Sequence, residues 1–440
     1  MSFETVTLKE YEKKTVNDSN LQECILAPLE KYLEKNNLTS ALKITSNGIK
    51  ARSYVGVIKF KNTQIEILPK LIAPIQNDET LNEKQKEEYR QNILKNLLFM
   101  LSYTKKLDIK TSDSAKLSKT SNPFLEVLIR EYANSLFGCL KRLTPKNYVV
   151  EEDNLKFLKG KLKFSENIRY NSVNLARFYC EYDEFSEDCI LNQLFYYVSS
   201  ALYSISKDNN NKKILKLIMD YYSDIKLVRF DKYKSEKITL TRNQQLFEKP
   251  FKLAKMFVEN SSVDLSKNCF ENITLLWDMN KLFEEFIYQV IRCKLSDKLD
   301  KISAQKKKRL LSDGKNERRD TLVDIMLKTK EKNEIVLDTK YKKFIEFDNI
   351  SSADIYQVGM YCTLHDIKAN NSQEEIPQAI LLYPKFNNDE KPDITDYYLN
   401  AANQDLRYNI HFRTVNLMYL NLETSLLDLS EELQKILFIK

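Results

Sequence analysis

Apolar and polar residues along the chain follow two different periods, which predict strands first and helices later. Within the first 75 residues, short apolar runs are separated by Asn47-Gly48 and Lys61-Asn62, a rhythm typical of β-strands joined by tight turns. From Ile93 to Leu101, and again from Phe124 to Leu136, the apolar residues follow a helical spacing, which indicates amphipathic helices. The chain therefore begins with a β-rich segment and continues into a helical one.

The remaining two thirds alternate between strand-like and helical patterns. A strand-like stretch at 147–164 precedes a helix near Leu191, and the polar run KDNNNKK at 207–213 predicts a loop. A chain of 440 residues is long enough for two or three separate cores. These patterns predict a multidomain protein of mixed α+β and α/β class, with a β-rich N-terminal domain over 1–75, a mainly helical middle region over 76–270 and an α/β domain over 271–440.

Two apolar segments in the last third each contain one aspartate. Residues 321–328 read TLVDIMLK, residues 335–342 read IVLDTKYK, and the polar connection between them has the length of a hairpin turn. Folding this hairpin about its middle sets Asp324 beside Asp338 or diagonal to it, and alternation puts Lys340 on the face of Asp338. Burying a lone carboxylate is costly, so the pair indicates a site. The simpler alternative is a surface ion pair of Asp338 and Lys340 on an edge strand.

Two neighbouring carboxylates suit a divalent cation. They repel each other unless a cation lies between them, and oxygen ligands that leave room for water suit Mg²⁺. A lysine one pleat away can position or activate a water molecule, or stabilise charge that develops on a phosphate. The hairpin therefore predicts a Mg²⁺ site with a catalytic lysine beside it.

Predicted helices on either side of the hairpin carry further candidates. In the helix over 279–290, Glu285 lies opposite the apolar face, while Glu284 lies on its border and can reach over the edge of a sheet. The alternative for Glu284 is a solvated helix residue. In the helix after the hairpin, Gln357 and Tyr361 lie one turn apart on a single face. These two are second-tier candidates, since packing roles would explain them equally.

A basic run lies between the first of these helices and the hairpin. Residues 305–319 contain seven cations and two anions. Such a run can contact a phosphate backbone, and its alternative interpretation is a solvated loop. The candidate DNA-binding residues are Lys306, Lys307, Lys308, Arg309, Arg318 and Arg319.

Composition excludes several classes of chemistry. The net charge of +7 permits nucleic acid as a partner without requiring it. Seven cysteines without CxxC spacing and two histidines argue against a zinc site and against histidine-based triads. The six glycines never offer the GxxxxGK[ST] spacing, so no nucleotide-binding P-loop is expected. The sequence also has no signal-peptide pattern and no apolar run of the ~18 residues that a membrane helix needs, which predicts a cytoplasmic protein.

The order of these candidates along the chain resembles the PD-(D/E)xK nuclease superfamily. Glu284 on a helix is followed by Asp324 on a strand, by Asp338-x-Lys340 on the next strand and by Gln357-xxx-Tyr361 on a helix, while Val323 stands where the superfamily's name has proline. The resemblance implies a metal-dependent nuclease with Glu284, Asp324 and Asp338 as metal ligands. Its catalytic set is then Asp324, Asp338, Lys340 and Glu284.

Four further segments are similar to the McrC family, the nuclease subunit of McrBC-type, modification-dependent restriction systems. They are SNGIKARSYVGVIKFKNTQIEILPKL at 46–71, LKGKLKF at 158–164, CEYDEFSEDCILNQLF at 180–195 and WDMNKLFEEFI at 277–287. The resemblance implies that an N-terminal part docks on an AAA+ GTPase ring, McrB, and that a C-terminal domain cleaves double-stranded DNA with Mg²⁺. It also implies a role in antiviral defence in which the partner reads methylated cytosine and binds GTP.

Two alternatives come from other functional classes. The chain could be a non-catalytic adaptor that activates a ring NTPase and keeps a nuclease-like fold, or a RecB-like exonuclease of DNA repair. The intact Asp-x-Lys with its upstream carboxylates favours the nuclease over the adaptor. Gln357-xxx-Tyr361 gives the exonuclease some support, whereas the N-terminal VGVIKFKNTQIEILPK segment argues against it.

Overall fold

The structure is a computed structural model of the 440-residue chain. It describes residues 4–15, 26–45, 48–60, 63–70, 82–104, 106, 123–264, 269–312, 317–342, 351–365, 367, 378–385, 395–400, 407–417 and 423–437. The turn residues Asn47, Lys61 and Asn62 lie outside the described residues.

Strands and helices alternate along the described part of the chain. The strands are β1 (Glu4–Lys9), β2 (Lys13–Thr15), β3 (Leu42–Thr45), β4 (Gly48–Ala51), β5 (Tyr54–Phe60), β6 (Thr63–Leu68), β7 (Asn147–Leu155), β8 (Lys161–Leu162), β9 (Phe178–Ser186), β10 (Ser261–Asp264), β11 (Cys269–Asp278), β12 (Leu299–Ser312), β13 (Glu317–Thr329), β14 (Glu334–Thr339), β15 (Ala379–Pro384), β16 (Thr395–Asn400) and β17 (Arg407–Val415). The α-helices are α1 (Ala27–Lys35), α2 (Glu83–Tyr103), α3 (Pro123–Leu140), α4 (Phe164–Asn171), α5 (Ile190–Ile205), α6 (Asn209–Tyr221), α7 (Lys232–Glu236), α8 (Glu248–Glu259), α9 (Met279–Lys294), α10 (Ser352–Leu364) and α11 (Glu423–Ile436).

The chain divides into two compact units, each built from separate segments. The first comprises 1–5, 57–64 and 118–275, and the second comprises 6–56, 65–117 and 276–440. Both units combine helices with strands, so the mixed α/β, multidomain class is confirmed. The division into three consecutive domains stays a prediction.

The early strands confirm the β-rich character of the N-terminal segment. A three-stranded sheet has the order β2-β4-β3, and a five-stranded sheet has the order β1-β6-β5-β11-β10. Strands β5 and β6 are buried along most of their length, and in β6 the buried residues include the polar Gln64 and Glu66.

Helices dominate the first unit, and a small sheet with the order β7-β9-β8 adjoins them. The predicted loop at 207–213 is wrong from Asn209 onward, where α6 begins. The side chain of Asp208 accepts hydrogen bonds from the backbone N–H groups of Asn210 and Asn211, which caps the helix. A polar run thus starts a helix because it contains a good N-cap, Asp208.

The C-terminal region contains a six-stranded mixed sheet with the order β12-β13-β14-β15-β17-β16. Antiparallel β13 and β14 form the predicted hairpin, with Ile325 opposite Leu337 and Lys328 opposite Glu334. β14 then pairs in parallel with β15, so β14 is an inner strand. Apolar residues of the hairpin, α10, β15 and β17 form one core, including Val323, Val336, Val358, Cys362, Leu381 and Phe412.

The described residues of the basic run lie in strands and not in the loop that was the alternative interpretation. Residues 306–309 lie within β12, and residues 318 and 319 lie within β13. Among the described residues, no helix is both long and apolar enough to cross a membrane.

Candidate active site

The two aspartates lie side by side at the inner hairpin of the six-stranded sheet. The register that pairs Ile325 with Leu337 brings Asp324 opposite Asp338 when it is continued by one residue. Asp338 is 0% exposed because β14 has a neighbouring strand on each side. The alternative of a surface ion pair on an edge strand is therefore wrong.

Each aspartate has its own partner within the hairpin. Lys340 Nζ lies 2.8 Å from Asp338 Oδ2, as their shared face predicted. Asp324 Oδ2 accepts hydrogen bonds from the backbone N–H of Thr339 at 2.9 Å and from its hydroxyl at 3.1 Å. Thr339 was not predicted, because alternation assigns it to the face opposite Asp338.

Helix α10 brings both second-tier candidates to the lysine. Lys340 Nζ donates to Gln357 Oε1 at 3.0 Å, and Gln357 Nε2 donates to the hydroxyl of Tyr361 at 2.6 Å. The Tyr361 hydroxyl donates in turn to the carbonyl of Leu322 at 2.7 Å. This chain of hydrogen bonds fixes the position of the lysine relative to the hairpin.

A further carboxylate, missed from the sequence, lies one turn before Gln357. Asp354 forms an ion pair with Lys342, and its Oδ1 lies 3.9 Å from Lys340 Nζ. The helical spacing of three residues between Asp354 and Gln357 could have indicated it, since both then face the hairpin.

Burial and mutual repulsion shift the acidity of the site. Burial, with the charge of Asp324 added, raises the pKa of Asp338 to about 7, although Lys340 opposes the shift. Burial also raises the pKa of Asp324, while the hydrogen bonds from Thr339 lower it. Burial lowers the pKa of Lys340, but the charges of the surrounding aspartates outweigh it and raise the pKa, so the amine stays protonated.

Glu284 lies close enough to influence the pair. Burial raises the pKa of Glu284 to about 7, and the charge of Asp324 adds to this shift. The carboxylate accepts a hydrogen bond from the side-chain amide of Gln305 on β12. Glu284 is half-buried, as is its neighbour Glu285, which forms an ion pair with Lys106.

The two aspartates fit a divalent cation. Oδ1 of Asp338 is buried and accepts no hydrogen bond from the described residues, which is costly for a carboxylate unless another cation binds it. Within the described segments, however, no three side chains of His, Cys, Asp or Glu are grouped closely enough to hold a metal ion. Glu284 therefore does not complete the predicted set of three ligands in this conformation.

The cationic candidates follow the outer strand of the same sheet. Lys306, Lys307, Lys308 and Arg309 are exposed on β12, the edge strand beside the hairpin. Lys307 forms an ion pair of 2.6 Å with Asp320. Arg318 and Arg319 lie on β13, but their side chains are not among the parts that the structure describes. Exposed lysines on an edge strand also prevent unwanted strand pairing, which is the simpler explanation of this surface.

Comparison with known proteins identifies the family. The family model described as McrBC 5-methylcytosine restriction system component matches residues 49–384. The chain belongs to this family. The resemblance to McrC is thereby confirmed. No curated protein sequence matches the chain.

Two solved structures of McrBC assemblies are similar to this McrBC-family chain. One is a refined half-complex from a tetradecameric assembly of Thermococcus gammatolerans McrB AAA+ hexamers with bound McrC, at 23% identity and a TM-score of 0.74, covering 98% of this chain and 100% of that chain. The other is the cryo-EM structure of the Thermococcus gammatolerans McrBC complex, at 27% identity and a TM-score of 0.52, covering 66% of this chain and 88% of that chain. At 23% identity, the similarity to the first of these structures shows a shared fold.

Proposed function

We propose that this chain is the Mg²⁺-dependent endodeoxyribonuclease subunit of a McrBC-like restriction system, with a PD-(D/E)xK active site. The observation that carries the proposal is the buried Asp338, set between a second carboxylate, Asp324, and a protonated lysine, Lys340. Mg²⁺ bound by Asp324, Asp338 and Glu284 would supply Lewis-acid polarisation of a phosphate oxygen.

The lysine acts as a cation in this mechanism. Its pKa is raised, so it cannot accept a proton from water near neutral pH. Held by Asp338 and Gln357, its ammonium group can donate to a phosphate oxygen and stabilise the charge that develops during hydrolysis. Gln357 and Tyr361 support the reaction by orienting this group.

The basic edge strand is the proposed surface for double-stranded DNA. Four consecutive exposed cations, Lys306–Arg309, lie on the strand next to the one that carries Asp324. Cations along an extended strand can meet successive phosphates, and these contacts release counterions. Duplex DNA with modified cytosine is the substrate that the family description supports.

The proposed partner is an AAA+ GTPase ring of the McrB type, as in the related assemblies. Among the described residues before position 75, Tyr11 is the one exposed large apolar residue. The sheet β7-β9-β8 with α4 exposes many more: Val173 is 97% exposed and Leu175 is 84% exposed, and Tyr148, Phe157, Phe164 and Phe185 are also exposed. Exposed apolar patches of this kind mark protein contacts. We therefore propose that this apolar surface, residues 147–186, contributes to docking alongside the N-terminal segment that the resemblance implies.

Replacing the central aspartate tests the proposed activity. Asp338→Asn keeps the side-chain shape but removes a charge that holds the cation, so cleavage of modified duplex DNA should fall by several orders of magnitude. Stimulation of the partner's GTPase should stay near wild type. Glu285→Gln, which removes a carboxylate outside the site, is the control and should cleave normally. Cleavage by Asp338→Asn at the wild-type rate would remove Asp338 from the active site.

The same assays separate the nuclease from the adaptor. A wild-type chain that stimulates GTP hydrolysis but cleaves no DNA with any divalent cation would be an adaptor. Degradation that starts from DNA ends, without any partner ring, would instead indicate a repair exonuclease. Cleavage inside a closed circular duplex that requires the ring supports the proposal.

A further inference from the structure

One residue of β12 beside the candidate site has an unusual backbone conformation. Gln305 has a φ of 51°, in the left-handed region that residues other than glycine rarely adopt. The other described non-glycine residues with positive φ, Tyr11, Asn37 and Lys332, lie in turns or connections, whereas Gln305 lies inside a 14-residue strand. The pairing of β12 with β13 holds at Ala304 and resumes at Lys306.

This irregularity lies at the level of the first aspartate. Ala304 faces Ile325 and Lys306 faces Val323, so Gln305 is the residue of β12 level with Asp324. Bulges and left-handed residues within strands change the direction of a side chain, and they are concentrated near active sites. The local conformation of Gln305 thus needs an explanation from its side chain.

The side chain of Gln305 has one described partner. Its Nε2 donates to Glu284 Oε1, and this is the only hydrogen bond that the Glu284 carboxylate receives from the described residues. The amide is neutral, so it holds the carboxylate without neutralising it. A lysine or arginine in its place would form an ion pair and compete with a metal ion for the same oxygen.

We propose that Gln305 is a positioning residue that holds Glu284 at the border of the Asp324–Asp338 pair, ready to act as the third metal ligand. The proposal rests on the proposed function. The irregular backbone aims the amide at α9, and the neutral donor preserves the negative charge that a cation needs. This assigns a role to a residue of the basic run that contacts no phosphate.

Metal binding by the full-length chain tests this proposal without requiring cleavage. Mn²⁺ binding is measured by calorimetry for wild type, Gln305→Gly and Gln305→Asn. Glycine tolerates the left-handed backbone but lacks the amide, and asparagine tolerates it but is one methylene too short. Both variants should bind Mn²⁺ about tenfold more weakly and should unfold at the wild-type temperature. Unchanged Mn²⁺ affinity in Gln305→Gly would overturn the proposal.

A double-mutant cycle separates positioning from a general structural effect. If Gln305 acts through Glu284, adding Gln305→Gly to the variant Glu284→Gln should leave its Mn²⁺ affinity unchanged, because the group to be positioned is gone. Additive losses would mean that Gln305 acts elsewhere and would overturn the proposal. Mn²⁺ binding that follows these expectations while wild type cleaves no DNA would refute the nuclease but not the role of Gln305. No Mn²⁺ binding by wild type would refute both.

Discussion

Several carboxylates outside the candidate site are buried, and one of them, Glu10, is expected to make the stability of the protein depend on pH. Burial raises the pKa of Glu10 to about 7, although the backbone N–H of Lys70 donates to its Oε2 at 3.0 Å. Glu10 is almost fully buried. Because the folded pKa lies above the unfolded value of 4.5, folding favours the protonated form of this residue.

We expect Glu10→Gln to remove this pH dependence. In wild type the contribution of Glu10 is neutral below pH 4.5 and becomes increasingly unfavourable as the pH rises to about 7. The free energy of unfolding of Glu10→Gln relative to wild type should therefore rise by about 3 kcal/mol between these limits and then level off. Denaturant unfolding at a series of pH values measures it. Glu12→Gln, at an exposed carboxylate, controls for loss of charge, and a difference independent of pH would contradict the expectation.

At the scale of elements, β12 combines two tasks on one strand. Its exposed cations at 306–309 form the proposed DNA surface, while Gln305 points to the helix that carries Glu284. The strand pairs along almost its whole length with β13, which carries Asp324. Phosphates bound on β12 would thereby be held beside the carboxylates.

Neutralising this strand should weaken DNA binding without removing the chemistry. Replacing Lys306, Lys307, Lys308 and Arg309 by glutamine should flatten the dependence of log K on log salt concentration by ~0.9 for each phosphate that the strand no longer binds. Fluorescence anisotropy with duplex DNA at several salt concentrations gives the slope. The matched control replaces four exposed lysines elsewhere, Lys213, Lys216, Lys226 and Lys232. Equal slopes in both variants would leave β12 with only the role of an edge protected against strand pairing.

At the scale of the whole molecule, the two compact units suit different tasks. The candidate site lies entirely in the unit that contains 276–440, and the exposed apolar surface at 147–186 lies in the other. If the proposed function holds, a division of this kind lets ring docking and DNA cleavage be altered separately.

Polar substitutions on the apolar surface should separate the two tasks. Val173→Ser with Leu175→Ser should weaken association with the ring by about a hundredfold. Two exposed apolar side chains that become buried on docking contribute about 3 kcal/mol to the free energy of association. Gel filtration and stimulation of GTP hydrolysis measure the loss, and Mn²⁺ binding should stay normal. Leu217→Ser with Leu227→Ser changes exposed apolar residues elsewhere and should have no effect. If the variant Val173→Ser with Leu175→Ser associates with the ring as strongly as wild type, docking would be assigned to the N-terminal segment alone.

Local periodicity was enough to predict much of the candidate site. The alternation of 321–342 predicted the hairpin and the shared face of Asp338 and Lys340, because side-chain direction in a strand depends only on position. Helical spacing likewise put Gln357 and Tyr361 on one face. The McrC-like segments predicted the family, which residues 49–384 confirm.

Only the tertiary structure decided which of these residues are buried and what they meet. Asp338 is buried because β15, about forty residues later in the chain, pairs with β14, and no local pattern of residues 321–342 contains that pairing. Likewise, residues 306–309 of the basic run lie in a strand because β13 pairs with them, although their charges alone also suited a loop. Gln305 donates a hydrogen bond to Glu284, which lies 21 residues earlier in the sequence. The left-handed backbone conformation of Gln305 that accompanies this contact follows from no residue preference. Such contacts depend on how distant elements pack, whereas periodicity reports only which face of its own element a residue occupies.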